Sequence, residues 1–220
     1  MNYPNFSEEK KLWQKGYECV VGLDEAGRGP LAGPVVAAAI TVQQNTNHKF
    51  QITNVNDSKR LSEKRREEFY EVLTKHPDIV WGVGIVSEKE IDRINILQAT
   101  KLAMQKALEN LYSKYTSLHK KSIGDFLLID GNFAIKTEIP QRSIIKGDAK
   151  VFSIAAASII AKVTRDRIMR QAHEQYPVYG FDKHKGYGTA AHIASLKKFG
   201  ASDIHRRSFY PVSAMVQLTK

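Results

Sequence analysis

Apolar residues along the chain come in short runs rich in β-branched side chains, at 18–24 (ECVVGLD), 35–42 (VVAAAITV), 80–86 (VWGVGIV), 126–130 (FLLID) and 141–145 (QRSII). Each is bounded by glycine, proline or a polar cluster, which predicts buried strands. Elsewhere the spacing turns helical, over 62–75, 95–116, about 151–175 and 189–199, with Ser62 placed to cap the first of these. In the helix at 95–116, Ile96, Ala99, Ala103, Met104, Ala107, Leu108 and Leu111 fall on one stripe, which reads as core. Gly33-Pro34 is turn-like, so the first two strands are expected to pair as neighbours. Three early strands, intervening helices, two later strands and more helices describe one α/β domain with a mixed sheet. Residues 1–16 read as a short N-terminal extension with a leading helix, and 17–220 as a single domain without a linker. The polar stretch at 43–61 is long for a connection in a compact domain, and such loops are often functional or disordered.

Composition narrows the partners. Lys and Arg number 33 against 23 Asp and Glu, a net charge of +10, which favours a polyanion such as nucleic acid or an anionic membrane surface. No run approaches the roughly 18 apolar residues of a membrane span. The start, MNYPNFSEEKKLWQKG, does not resemble a secretory signal. The lone cysteine, Cys19, lies in an apolar run and reads as a buried thiol, in keeping with a reducing compartment. A cytoplasmic protein is expected.

The candidate chemistry lies in acids that close apolar strands. Asp24 and Glu25 end the first run, Asp130 ends FLLID ahead of Gly131, and Asp148 follows the fifth strand just before a long helix. Asp148 standing alone reads equally well as a helix N-cap. Asp24 and Glu25 would point to opposite faces of an extended strand, so reaching one ion requires a bend, which Gly27 and Gly29 make easy. If the strands are neighbours, four carboxylates converge, and two unit charges about 4 Å apart repel by roughly 4 kcal/mol at an effective dielectric near 20. Such a cluster needs cations or protons, and hard oxygen donors without His or Cys suit Mg²⁺ or Mn²⁺ rather than zinc. Paired ions of this kind serve in-line phosphodiester displacement.

These residues also carry a resemblance. GLDEAGRGPLAGPVVAAA, DSKRLSEKRREEF, LLIDGN, KGDAK, IAAASIIAKVTRDRIM, HKGYGT and IHRRSF stand in the order found in bacterial ribonuclease HII, spanning about 18–209. The resemblance implies a ribonuclease H-like fold, a mixed five-stranded sheet flanked by helices with a helical C-terminal part. It implies hydrolysis of the RNA strand of RNA–DNA hybrids and incision 5′ to a single ribonucleotide in duplex DNA, leaving 3′-OH and 5′-phosphate. Asp24, Glu25, Asp130 and Asp148 match the metal-binding catalytic acids, with Asp24 shared by two ions. Gly27, Arg28 and Gly29 match the tripeptide that contacts the 2′-OH, and Tyr187 the tyrosine that stacks on the next sugar. Lys59 and Lys185 are added as candidate substrate contacts, with His205-Arg206-Arg207 contributing charge. A 2′-OH distinguishes RNA from DNA, and reading it through backbone requires an approach that side chains would block. Asp57 and Asp166 are not assigned to catalysis; Asp166, between Arg165 and Arg167, is expected in ion pairs.

A monomer is expected, and the tail YPVSAMVQLTK carries no clamp-binding motif. No further substrate-binding domain is expected ahead of residue 17, and the sister type, ribonuclease HIII, is therefore not the expected one. Two other readings are a different ribonuclease H-like nuclease, such as a junction resolvase, and a non-catalytic basic nucleic-acid-binding module. The first lacks a use for the glycine tripeptide and Tyr187. The second predicts loss of one of the acids.

Overall fold

The computed structural model describes residues 3–42, 58, 61–119 and 126–217. Lys59 and most of the polar stretch at 43–61 lie outside the described residues. Five strands, β1 (Val20–Ala26), β2 (Val35–Val42), β3 (Ile79–Val86), β4 (Phe126–Asp130) and β5 (Gln141–Ile144), form one sheet in the order β3-β2-β1-β4-β5. The first three make an antiparallel meander through the turn at Gly33-Pro34, while β4 and β5 lie parallel to β1 on its other side. The expected mixed sheet is therefore present, within one residue of the expected boundaries at β2, β3, β4 and β5.

The helices are α1 (Ser7–Trp13), α2 (Glu63–Lys75), α3 (Glu88–Ile94), α4 (Ile96–His119), α5 (Phe152–Gln175), α6 (Phe181–His184), α7 (Ala190–Phe199) and α8 (Val212–Gln217). Ser62 caps α2 as expected, its side chain accepting from Arg65 N at 3.3 Å. The helix expected over 95–116 is preceded by α3, which the pattern did not predict. Asn95 divides the two, at φ 66°, and its Oδ1 accepts from Leu97 and Gln98 N at 3.0 and 3.1 Å. Its side chain caps the helix that follows.

Two apolar layers sandwich the sheet. Ala99, Ala103, Met104, Ala107, Leu108 and Leu111 of α4 pack with Val21, Leu23, Ala37 and Ile129 on one face. On the other, α5 and α2 pack with Val36, Ala38 and Ile40. β2 is buried along its whole length, and its three central alanines suit a strand covered on both sides. Helix α5 crosses β1 closely at Gly22, where an added Cβ would lie 2.4 Å from the Ser153 carbonyl carbon. That crossing brings the start of α5 to the carboxyl ends of β1 and β4.

The leading segment is stitched into this corner. Leu12 packs with Val20, Leu128, Val151 and Ile154, and the buried Glu9 accepts from Ser153 N at 2.8 Å, capping the first turn of α5. After α5 the chain forms a separate apolar cluster, with Leu31, Ala32, Met169, Tyr179, Phe181, Leu196 and Val212, under the loop that joins β1 to β2. Among the described residues no helix is long and apolar enough to cross a membrane.

Candidate active site

Parallel pairing of β1 with β4 sets Leu23 beside Ile129, so Asp24 and Asp130 follow at neighbouring strand ends. Asp148 comes from the 3₁₀ turn Gly147–Ala149 between β5 and α5. The N-cap of α5 is Val151, so Asp148 is not the capping residue; its carboxylate joins the other two. Oxygens of Asp24, Asp130 and Asp148 lie within 4.8 Å of one another. Gly147 N donates to Asp130 Oδ1 at 2.7 Å, and Glu25 N donates to Asp24 Oδ1 at 2.7 Å, which fixes both carboxylates.

Glu25 is placed differently. β1 remains paired with β2 through Ala26, opposite Val36, so both acids stay in the extended ladder and the bend comes only at Gly27, at φ 100°. The expected bend therefore follows the acid pair and leaves the two side chains on opposite faces of the strand. Asp24 lies on the α5 side, towards the Ser158 hydroxyl, and Ser158 Oγ is 2.8 Å from Ser58 Oγ. Glu25 Oε1 stands 3.4 Å from the Arg28 guanidinium.

Asp24 is buried, and its carboxyl is pushed well above the usual carboxylate range by that burial first, then by Glu25 and Asp130. The Glu25 N–H and Ser158 hydroxyl oppose this in part. Three carboxyl groups, one of which resists ionisation alone, are a donor set suited to Mg²⁺ or Mn²⁺. Asp166 belongs elsewhere, 2.7 Å from Lys162 Nζ, in the expected interior ion pair.

Beside the carboxylates runs the loop Gly27–Pro34. Two guanidiniums with almost no solvent exposure, Arg165 of α5 and Arg206 near the C-terminus, hold its carbonyls. Arg206 donates to Gly27 and Arg28 O at 2.6 and 2.9 Å and to Gly33 and Pro34 O at 2.9 and 3.2 Å. Arg165 donates to Pro34, Ala32 and Lys185 O at 2.9, 3.0 and 2.9 Å. Burial brings the Arg165 pKa down to about 10 and that of Arg206 to about 9, the latter helped by repulsion from Arg165. Both stay charged at neutral pH. Sequence reasoning gave Arg206 only to surface charge and left Arg165 without a role. A guanidinium whose partners are carbonyls leaves no opposite charge in the sequence to reveal it.

Tyr187 is 44% exposed, and a Cβ built on Gly29 would lie 3.8 Å from its ring. The expected ribose tripeptide and stacking tyrosine are thus neighbours. Arg28 is exposed at the rim, its guanidinium 5.8 Å from the Phe133 ring centre. Lys185 is turned inward. Its side chain is buried, its Nζ donates to Asp182 O, and Glu63 lies 3.9 Å away.

A chain of neutral histidines backs Tyr187. Ser202 N donates to His205 Nδ1 at 2.9 Å, so His205 holds its proton on Nε2 and donates to His192 Nε2, also at 2.9 Å. His192 then donates from Nδ1 to Tyr187 O at 2.9 Å, with His184 stacked on it at 4.5 Å. Burial, then His192, push His205 down to about 4. Its ordinary value is near 6.5, so the neutral ring contributes stability that is complete above pH 6.5 and is lost as pH falls towards 4. The loss is on the order of 3 kcal/mol. Melting temperature should fall across that window, and His205→Asn should show a shallower acid slope. Equal slopes would remove His205 as the cause.

Comparison with known proteins gives one consistent result. The family model for Ribonuclease HII matches residues 21–212. Ribonuclease HII of Chlamydia caviae is 51% identical over 208 residues, 94% of this chain and 92% of that protein. Ribonuclease HII of Acetivibrio thermocellus is 53% identical over 201 residues, 91% of this chain and 73% of that protein. Among solved structures, the ribonuclease H2 of Pyrococcus horikoshii OT3 superposes with a TM-score of 0.69 at 28% identity, covering 91% of this chain and 98% of that one.

Proposed function

The chain belongs to the ribonuclease HII family of metal-dependent endoribonucleases, and from that footing we propose that it incises 5′ to single ribonucleotides in duplex DNA and also cuts the RNA strand of RNA–DNA hybrids. The observation that carries this reading is the meeting of Asp24, Asp130 and Asp148 beside a glycine loop whose neighbour is an exposed aromatic ring. Asp24, Asp130 and Asp148 would hold the divalent ions, with Glu25 alongside. When bound, a pair of Mg²⁺ or Mn²⁺ ions supplies charge to activate water and to neutralise the leaving oxygen, yielding 3′-OH and 5′-phosphate ends.

The remaining work falls to the chain itself. Gly27, Arg28 and Gly29 bring backbone close enough to hydrogen-bond a 2′-OH, which couples recognition of the ribose to cutting at the adjacent phosphate. Arg28 adds a guanidinium at the rim for a phosphate oxygen. Tyr187 offers a ring face to the next sugar. Residues Lys59 and Lys185 complete the proposed contacts, the second through the turn that it anchors. The excess of basic residues supports binding of a nucleic-acid backbone, which should weaken steeply with salt.

The test uses a DNA duplex carrying one ribonucleotide, an all-DNA duplex, and Mg²⁺, Mn²⁺ or EDTA. We expect metal-dependent cuts 5′ to the ribose, none in all-DNA, and none with EDTA. Absence of cleavage under either metal would overturn the proposal. Tyr187→Ala should lower cleavage at the single ribonucleotide by about fivefold or more, the loss of one aromatic stacking contact being worth about 1–3 kcal/mol.

A further inference from the structure

Arg165 and Arg206 sit inside the protein, out of reach of solvent, yet neither has a carboxylate hydrogen-bond partner among the described residues. Burying two like charges near each other is unfavourable, so the carbonyls they gather need a reason. Those carbonyls belong to two segments only, the loop at 27–34 and the turn that leads into Tyr187.

The two arginines share the Pro34 carbonyl but otherwise hold different groups. Arg206 takes the carbonyls of Gly27 and Arg28. In a trans peptide the N–H points opposite to the C=O. Drawing both carbonyls inward therefore turns the N–H groups of Arg28 and Gly29 away from the buried guanidinium. Arg165 instead spans both segments, holding Ala32 and Pro34 on one side and Lys185 on the other. One backbone bond runs parallel to it, from Leu31 N to Gly186 O at 2.8 Å. Gly186, at φ 85°, is the contact point, since a Cβ there would lie 2.6 Å from Ala32 O.

We propose that Arg206 and Arg165 are positioning residues of the substrate reader: Arg206 orients the Gly27–Gly29 peptides, and Arg165 sets the separation between that loop and Tyr187, and with it the preference for a ribose followed by a deoxyribose. The proposal rests on the reading of the loop and Tyr187 given under Proposed function. It assigns different consequences to the two arginines. Loosening Arg206 disturbs a contact that every ribose-containing substrate uses. Loosening Arg165 leaves the loop near the carboxylates but shifts it against the tyrosine. Only a substrate that must satisfy both elements at once is then penalised selectively.

The experiment measures kcat/KM on two substrates, a DNA duplex with one ribonucleotide and an all-RNA strand paired with DNA. Arg165→Lys is expected to lower the ratio of the first to the second by about tenfold or more, as a displacement of about 1 Å can do. Gly186→Ala wedges the same contact apart from a turn outside the buried arginine and should move the ratio in the same direction. Arg206→Lys should lower both rates by a similar factor, about tenfold, and leave the ratio within about twofold of the wild type. Melting curves establish that each variant is folded, and if Arg165→Lys is not, Gly186→Ala decides the matter. An unchanged ratio in the folded Arg165→Lys or Gly186→Ala protein, or wild-type rates in Arg206→Lys, overturns the proposal. A wild-type protein that cuts neither duplex would instead overturn the proposed function.

Discussion

Asp24→Asn is expected to lower turnover by at least about 10³-fold, as removal of a central member of a catalytic group does, while making the metal-free protein more stable. The two effects share one cause. Asp24 is the most enclosed of the three gathered carboxylates, and burial, Glu25 and Asp130 all oppose its ionisation. Its pKa is raised by folding, so its favourable contribution is fully present below its ordinary value of 3.8 and is lost as pH rises towards and through the folded value. At neutral pH the metal-free site is thus under electrostatic strain. Asparagine removes one of the repelling charges and is close in size to aspartate. Divalent ions relieve the same strain, so Mg²⁺ should raise the melting temperature of the native protein. Asp24→Asn should lose most of that gain while retaining affinity for the duplex. A variant that cleaves normally, or one whose metal-induced stabilisation is undiminished, would show that Asp24 is not the hub.

Gly27→Ala should be nearly as damaging by another route. At φ 100° an added Cβ is strained, and it would lie 2.1 Å from Arg165 Nε and 2.8 Å from Pro34 O. Backbone strain alone is worth about 1–3 kcal/mol. The guanidinium must also move, releasing bonds to Pro34, Ala32 and Lys185. We expect a lower urea midpoint and cleavage reduced by about 100-fold, in line with a misplacement of about 1 Å at a reacting centre. Gly16→Ala is the matched control. It also has a positive φ, 91°, but nothing lies within 4 Å of the added methyl, so it should lose some stability and keep its activity. Equal activity losses in both variants would exclude the contact with Arg165 as the cause.

The strands and the long helices were legible because burial on two faces leaves a simple trace. VVAAAITV has no polar side chain before Thr41, and the α4 stripe repeats at helical spacing. Asp24 and Asp130 were legible as acids closing strands and Asp148 as an acid ahead of a helix; parallel pairing of β1 with β4 brings the first two together, and Asp148 joins them from the turn after β5. The position of the bend was not. Whether it falls before or after Glu25 depends on β1 keeping its partners through Ala26, which is a tertiary fact. Helices α3, α6 and α8 are too short to establish a period. The least legible feature was the interior of the glycine loop. Arg165, Arg206, His192 and His205 look polar and therefore external, and only the three-dimensional arrangement shows backbone carbonyls and ring nitrogens satisfying them.

The cap on α5 reaches across 144 positions, from Glu9 to Ser153. Chain emerging during translation can zip up β1, β2 and β3 early, since those neighbours are close in sequence, but pairings between distant segments form slowly. Asp148 and the start of α5 emerge long after β1, and they meet a strand and a glutamate made well before them. A ribosome-bound or prematurely terminated fragment that stops short of them lacks the third carboxylate. On the proposed function, competence to cut nucleic acid is in this way withheld until translation has passed Asp148.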